Sequence, residues 1–443
     1  MTQTNPKSLS HFERDLSRSL ARRGKALLEA DDLTRQVSRM EPLEVYFMVK
    51  ELGLESAGPI LMCASADQLQ AFVDLDCWQG ENINFDDIDV WLAPFASLSS
   101  QALVAAFLSL EDQLQALYLR DALVIFQKVD EEIPTTGRKD VRNRVTSDGR
   151  FVIEPKEIDS DKEIDPLDLV AAIYKFAGPD AGYHLILYTL SEMQSPLYED
   201  AWRFRSNRLM EMGFPEFTDS LQLFSKPGKK APGVYIPKGP SLTKSMPAIY
   251  ASPLNAGGLL SHGLLGIEDK NVLSHLESNL IYLVNASVVA FEESPSNLDY
   301  TQAIAKRAIG LLNVGLEVLV GKGEPIVAER HHLFMNEVKG LLQEWPLREI
   351  FKYGYQETLR LHLAAKQLLE DPVMKIWAEK HQTELDEYSE EMCDREFVKA
   401  LVKPRPLWAG WDRIHPTKTK GFGSLHDIEA ALERLDKLAE QHG

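Results

Sequence analysis

The sequence predicts a mainly α-helical protein, a multi-lobed array of stacked helical hairpins with at most a small β-hairpin near 145–154. Three observations carry this expectation. Apolar residues recur at three- and four-residue spacing through most of the chain, which is the period of one helix face. Helix start and stop signals are dense and separated by short turns. Strand-like sequence is confined to VTSDGRFVIEP, residues 145–155, around the turn dipeptide Asp148-Gly149.

The first lobe, 1–128, is dense in helix signals. Leu9, Phe12, Leu16, Leu20, Leu27 and Leu28 fall near a helical period over residues 9–30. In EPLEVYFMVKELG, residues 41–53, Pro42 suits an early helical position and Gly53 a C-terminal stop. Ser65 with Gln68 forms a capping-box pattern ahead of an amphipathic segment. Asn84 opens the next helix, with Asp86 and Asp87 placed to meet the positive end of its dipole. Two more helices are expected near 98–109 and 111–127.

Residues 129–164 form a polar linker that contains the possible hairpin. A middle helical lobe spans 165–224. Asp165-Pro166 opens its first helix, and a later one runs from Pro196 to Gly213. Residues 225–267 are rich in Gly and Pro and read as an irregular segment. The C-terminal lobe, 268–443, holds the strongest core pattern. Leu273, Leu276, Leu280, Val284 and Val288 lie at helical spacing, as do Leu347, Phe351, Tyr355 and Leu359. The run 379–396, with eight acids and two bases, reads as a solvated helix face, and Ser424 with Asp427 caps a final helix.

Composition narrows the function classes. The chain of 443 residues carries a formal net charge of −19, which repels phosphate backbones and anionic lipid surfaces. Cys63, Cys77 and Cys393 give neither a disulfide framework nor a CxxC pair, so buried reduced thiols are expected. The N-terminal residues lack the apolar stretch of a secretory signal. The purest apolar run, Leu280 to Val284, is far short of a membrane span. The expectation is a cytoplasmic protein with no membrane partner.

Motifs for common chemistries are missing. GPSLTKS, residues 239–245, lacks the second Gly that lets a P-loop backbone wrap a phosphate. The fingerprints GxGxxG, GxSxG and HExxH do not occur. The acids Asp74, Asp76, Asp86, Asp87 and Asp89 fail as a calcium loop, because Gln79 and Phe85 stand where Gly and Glu are needed. Most of them read as helix-terminus and surface residues. His331 and His332 are adjacent and point to different helix faces. No cofactor and no metal is expected.

Two groups of residues remain as binding candidates. In IGLLNVGLEVLV, Asn313 and Glu317 sit four apart on an apolar face, and Gly310 and Gly315 permit close helix approach. They could wall a small acidic pocket, or Glu317 could bond Asn313 or a basic residue of another helix. His275 and Asn279 repeat the spacing on the preceding helix. The second group is basic. Arg203, Arg205 and Arg208 interleave with Trp202 and Phe204, and further cations follow through 244. Residues 399–420 carry Lys399, Lys403, Arg405, Arg413, Lys418 and Lys420 against Asp412 alone. Such tracts bind anions or strands, or pair with the chain's own acids.

Residues 41–78, from EPLEVYFMVKELG to VDLDCW, resemble an uncharacterised bacterial family, one of the domains of unknown function. WRFRSNRLMEMGFPEF, residues 202–217, and the stretch 279–359 are similar to it as well. The likeness spans about 20–430. It implies a helical architecture and no activity, ligand or site. The first block is also similar in style to the helical cytoplasmic domain of magnesium transporters, without the transporter's membrane spans.

Three functions follow from these features. The leading one is a non-catalytic interaction or scaffold protein, with another protein as partner. The second is an enzyme or small-ligand binder with a pocket at a lobe junction near Glu317. The third is an anion or nucleic-acid binder through 202–244 and 399–420, with nucleic acid disfavoured by the net charge.

Overall fold

The computed structural model describes residues 20–128, 133–138, 141–157, 163–228, 246–292, 295, 297–379 and 389–442. They fall into two compact units, one within Leu20–Met212 and the other within 213–292 and 297–442.

The first unit contains α1 (Leu20–Leu28), α2 (Leu33–Val37), α3 (Pro42–Leu52), α4 (Leu54–Leu61) and α5 (Ala66–Asp76). A short antiparallel hairpin, β1 (Trp78–Gln79) and β2 (Asn82–Ile83), leads to α6 (Phe85–Leu98), α7 (Ser100–Phe107) and α8 (Asp112–Ala122). Strands β3 (Leu123–Gln127), β4 (Arg144–Val145) and β5 (Phe151–Pro155) precede α9 (Pro166–Phe176), α10 (Pro179–Ser191) and α11 (Gln194–Glu211). The caps fall where the sequence places them. Ser65 Oγ accepts the Gln68 N–H at 3.2 Å while Gln68 Oε1 accepts the Ser65 N–H at 2.8 Å. Gly53 ends α3 in the left-handed region, at φ +78°.

The core of this unit centres on Tyr46, Phe72 and Trp91, all fully buried. Their ring centroids lie 5.1–6.1 Å apart. The polar edges of the cluster are met by one carboxylate. Asp76 accepts from Tyr46 Oη at 3.1 Å, Trp91 Nε1 at 3.0 Å and Lys50 Nζ at 3.1 Å. Asp76, half-buried at the C-terminal end of α5, thus ties the edge of the core.

The hairpin at 144–155 forms, but as two strands of a three-stranded antiparallel sheet ordered β3-β5-β4. The expected helix 111–127 stops at Ala122. Leu123-Val124-Ile125-Phe126 pairs residue for residue with β5, from Leu123 opposite Pro155 to Gln127 opposite Phe151. Branched and aromatic side chains fit that pleated surface better than a helix flank.

The second unit contains α12 (Phe217–Ser220), α13 (Ala248–Ala251), α14 (Leu259–Leu265), α15 (Lys270–Ala290), α16 (Leu298–Val320) and α17 (Met335–Glu344). It continues with α18 (Leu347–Leu368), α19 (Pro372–Glu379), α20 (Glu390–Leu401) and α21 (Leu425–His442). The long helices α16 and α18 touch backbone to backbone. Gly315 lies against the Ile350 carbonyl and Gly354 against the Leu311 carbonyl, so a Cβ at either glycine would collide with main chain. Around this crossing, Val314, Leu361, Phe397, Leu401, Phe422, Ile428 and Leu435 form a continuous apolar cluster.

The segment expected to be irregular, 225–267, contains α13 and α14. Positive φ at Gly257 and Gly258 breaks the chain just before the apolar run of α14, which then packs as a helix. GPSLTKS, Lys229, Lys230, Lys238 and Lys244 lie outside the described residues, as do residues 9–19 and 380–388. No described helix is long and apolar enough to cross a membrane. Cys77 and Cys393 are buried free thiols, whereas Cys63 is half-buried and lies 3.3 Å from Thr34 Oγ1.

Candidate functional site

The arginines singled out by the sequence lie on α11, and two of them are bound internally. Arg208 holds Asp74 with two parallel bonds, Nε to Oδ2 at 2.6 Å and Nη2 to Oδ1 at 2.9 Å. Its Nη1 bonds Glu111. Asp74 is completely buried and also accepts from Gln70 Nε2 at 3.0 Å. Arg205 donates to the Asp74 carbonyl at 2.8 Å, and its guanidinium stands 5.2 Å from the Trp78 ring. Burial pulls Arg205 down to about 10. Arg203 alone is exposed, paired with Asp200 at 2.8 Å. The aromatic–arginine interleaving therefore builds a clamp between α11, α5 and the start of α8. Asp74, read from sequence as a surface acid, is its buried centre.

Asn313 and Glu317 lie on one face of α16, as the spacing requires. They do not bond each other, and among the described residues no basic side chain reaches Glu317. Asn313 Oδ1 accepts the Leu260 N–H at 2.9 Å, at the start of α14. Gly258 lies so close that a Cβ there would come within 2.8 Å of Asn313 Nδ2. Glu317 Oε2 accepts the Leu425 N–H at 2.7 Å, at the start of α21. Burial drives the Glu317 carboxyl up to about 7, opposed by backbone bonds from Leu425 and Ile326. On α15, Asn279 Nδ2 donates to the His275 carbonyl at 2.8 Å, and His275 is half-buried. Neither described cleft is lined by His275, Asn279, Asn313 or Glu317.

The cleft that does form in the second unit was not read from sequence. It lies between α15, α16, α18 and the segments 405–407 and 421–422. Its walls are aromatic. Phe224 packs edge-on against Tyr355 at 4.9 Å, Phe351 at 5.8 Å and Phe291 at 6.1 Å between ring centroids. The Arg405 guanidinium lies 4.8 Å from both the Phe224 and Phe291 centroids. Arg307 stands 5.3 Å from the same Phe291 ring. Tyr355 Oη donates to the Pro404 carbonyl at 2.8 Å and anchors the chain just before Arg405. On the far side, Gly310 lets the Phe422 carbonyl rest directly on α16. Arg405 has no hydrogen bond or ion pair among the described residues. Its burial pulls its pKa below the usual arginine value.

Other members of the 399–420 tract pair with the chain's own acids. Arg413 bonds Glu390, and Lys399 bonds Glu396 at 2.8 Å. Arg405 was one cation of this tract, but Phe224 and Phe291 come from distant segments. Only folding brings the rings to it.

The fold and the site define a mainly helical protein of two compact units, the second of which carries an arginine set between aromatic rings. The chain belongs to a family of unknown function, DUF6178, whose model matches residues 3–442. No curated protein and no solved structure matches it.

Proposed function

We propose that this protein binds a small organic anion in the cleft around Arg405. One observation carries the reading: a half-buried guanidinium set beside two phenyl rings, with no hydrogen-bond acceptor for its N–H groups among the described residues. An arginine fork matches a carboxylate or phosphate. Isothermal titration of the purified full chain with a panel of organic acids, beside Arg405→Gln, tests it. Heat of binding in the wild type that the variant loses is the expected result. A panel that gives no heat at all removes the proposal.

A second reading, an interaction protein, has its own support in the first unit. Leu187 and Leu190 on α10 are 40% and 37% exposed, and Met193, just beyond the helix, is 73% exposed. Large apolar side chains at this spacing suit a partner helix. Affinity capture with wild type and a Leu190→Asp, Met193→Asp variant tests it. A partner retained equally by both proteins excludes this face.

A further inference from the structure

We infer that His262 and His331 form a binding site for a divalent transition-metal ion of the zinc class, bridging α14 and the 3₁₀ helix Ala328–Phe334. The two rings come from separate segments that packing brings together. Gly263 lies directly against Val338 and Leu342 of α17, and Gly266 against Met335. The 3₁₀ helix that leads into α17 therefore runs beside α14. The two imidazoles meet there at 6.0 Å between ring centroids, nearly perpendicular at 78°. His331 is half-buried, whereas its neighbour His332 is exposed, so the adjacent pair in the sequence is not the pair that the fold makes.

The tautomers of the two rings point to a metal. His262 Nδ1 lies 2.8 Å from the Gly258 carbonyl, and His331 Nε2 lies 3.1 Å from the Ile326 carbonyl. A carbonyl only accepts, so both of these nitrogens carry the hydrogen. The opposite nitrogens, His262 Nε2 and His331 Nδ1, then carry lone pairs in the neutral rings. Neither lone pair has a hydrogen-bond partner among the described residues. A ring N–H held by a main-chain carbonyl is the usual outer support of a metal-binding histidine, because it fixes the tautomer and makes the other nitrogen a better ligand. Nitrogens that hold an ion at about 2.0–2.1 Å set two ring centroids on the order of 5 Å apart, so a closure of about 1 Å by side-chain rotation completes the geometry. Imidazole suits zinc, nickel and copper, whereas magnesium and calcium take oxygen ligands. No third Cys, His, Asp or Glu joins the pair among the described residues, so water fills the ion's other positions.

The test is titration calorimetry on the untagged full chain with zinc, nickel and magnesium chlorides at pH 7.5. Zinc and nickel are expected to bind and magnesium to give no heat. His262→Gln and His331→Gln are each expected to weaken zinc at least about tenfold, whereas His332→Gln keeps the wild-type affinity. Near-UV circular dichroism checks that the variants keep the wild-type packing. Histidine modification by diethyl pyrocarbonate, mapped by mass spectrometry, needs no variant: zinc should protect His262 and His331 together in the wild type. A wild type that takes up no zinc, zinc uptake unchanged in either folded variant, or labelling of His262 and His331 that zinc does not alter would overturn the inference. So would a loss in His332→Gln as large as that in His331→Gln, which would put the ion on the adjacent pair instead.

Discussion

Asn313 and Glu317, one helical turn apart on α16, each complete the start of a different helix. Asn313 receives the Leu260 N–H of α14, and Glu317 receives the Leu425 N–H of α21. Helix N-termini carry orphan donors, and these two are satisfied by side chains from a third helix rather than by local caps. The pair is a joint between three helices.

The Glu317 carboxyl should make stability fall as pH rises. Its pKa of about 7 lies above the usual 4.5, so the folded chain holds its proton more tightly than the unfolded chain. Its contribution is therefore full below about 4.5 and is lost as pH rises through about 7. A shift of this size corresponds to roughly 3 kcal/mol across that window. Urea melts of wild type and Glu317→Gln at pH 5, 6, 7 and 8 check the sign. The stability gap should move in favour of the variant with rising pH, and a gap that stays flat refutes the assignment.

The clamp on Asp74 should be unforgiving. Removing Arg208 leaves a fully buried carboxylate without its partner, and Arg208→Met is expected to cost about 3–5 kcal/mol. The double variant Asp74→Leu, Arg208→Met should recover a large part of that loss, because the fully buried carboxylate is removed together with its partner. Equal losses in the single and double variants would mean that packing, not charge, governs the site. Chemical denaturation followed by far-UV circular dichroism measures both.

The α16–α18 crossing should tolerate no side chain. Gly354→Ala places a methyl against the Leu311 carbonyl, and this contact is main chain that cannot rotate away. A loss of at least about 2 kcal/mol is expected, at the upper end of what overpacking costs. Gly340→Ala, where a Cβ meets nothing within 4 Å, is the control and should be neutral or slightly stabilising. Thermal melts of the two variants should separate clearly.

The cysteines should react in an order set by burial. Cys63 is half-buried, whereas Cys77 is fully buried, and burial together with Asp76, Asp87 and Asp74 pushes its thiol well up. Titration of the native protein with a disulfide reagent at pH 8 should modify Cys63 first and Cys77 only on unfolding. Mass mapping that finds Cys77 labelled early would contradict the packing of α5.

The helices were legible because their signals are local. Ser65 with Gln68, Pro42 with Gly53, and Asp165 before Pro166 all act within a few residues, and each cap is present. The strand β3 was not legible, since it needs β5 some 25 residues later to distinguish it from a helix flank. The same limit applies to the site. The spacing of Asn313 and Glu317 showed a shared face but not that backbone N–H groups from two other helices would meet them. Arg205 and Arg208 looked like a basic tract because their acceptors, on Asp74 and Glu111, lie more than 90 residues away. Arg405 was visible as one cation among several. Its pairing with Phe224 and Phe291 depends on three segments meeting, and no local pattern records that.

The glycine contact between α16 and α18 also governs how the cleft can respond to an occupant. Two helices seated on each other's main chain have no side-chain layer through which to slide, so they behave as a single plate. Leu311 on one and Phe351 on the other thus keep a fixed separation. Phe422 is seated on α16 through Gly310 in the same way, so any adjustment to a larger guest falls to residues 405–407.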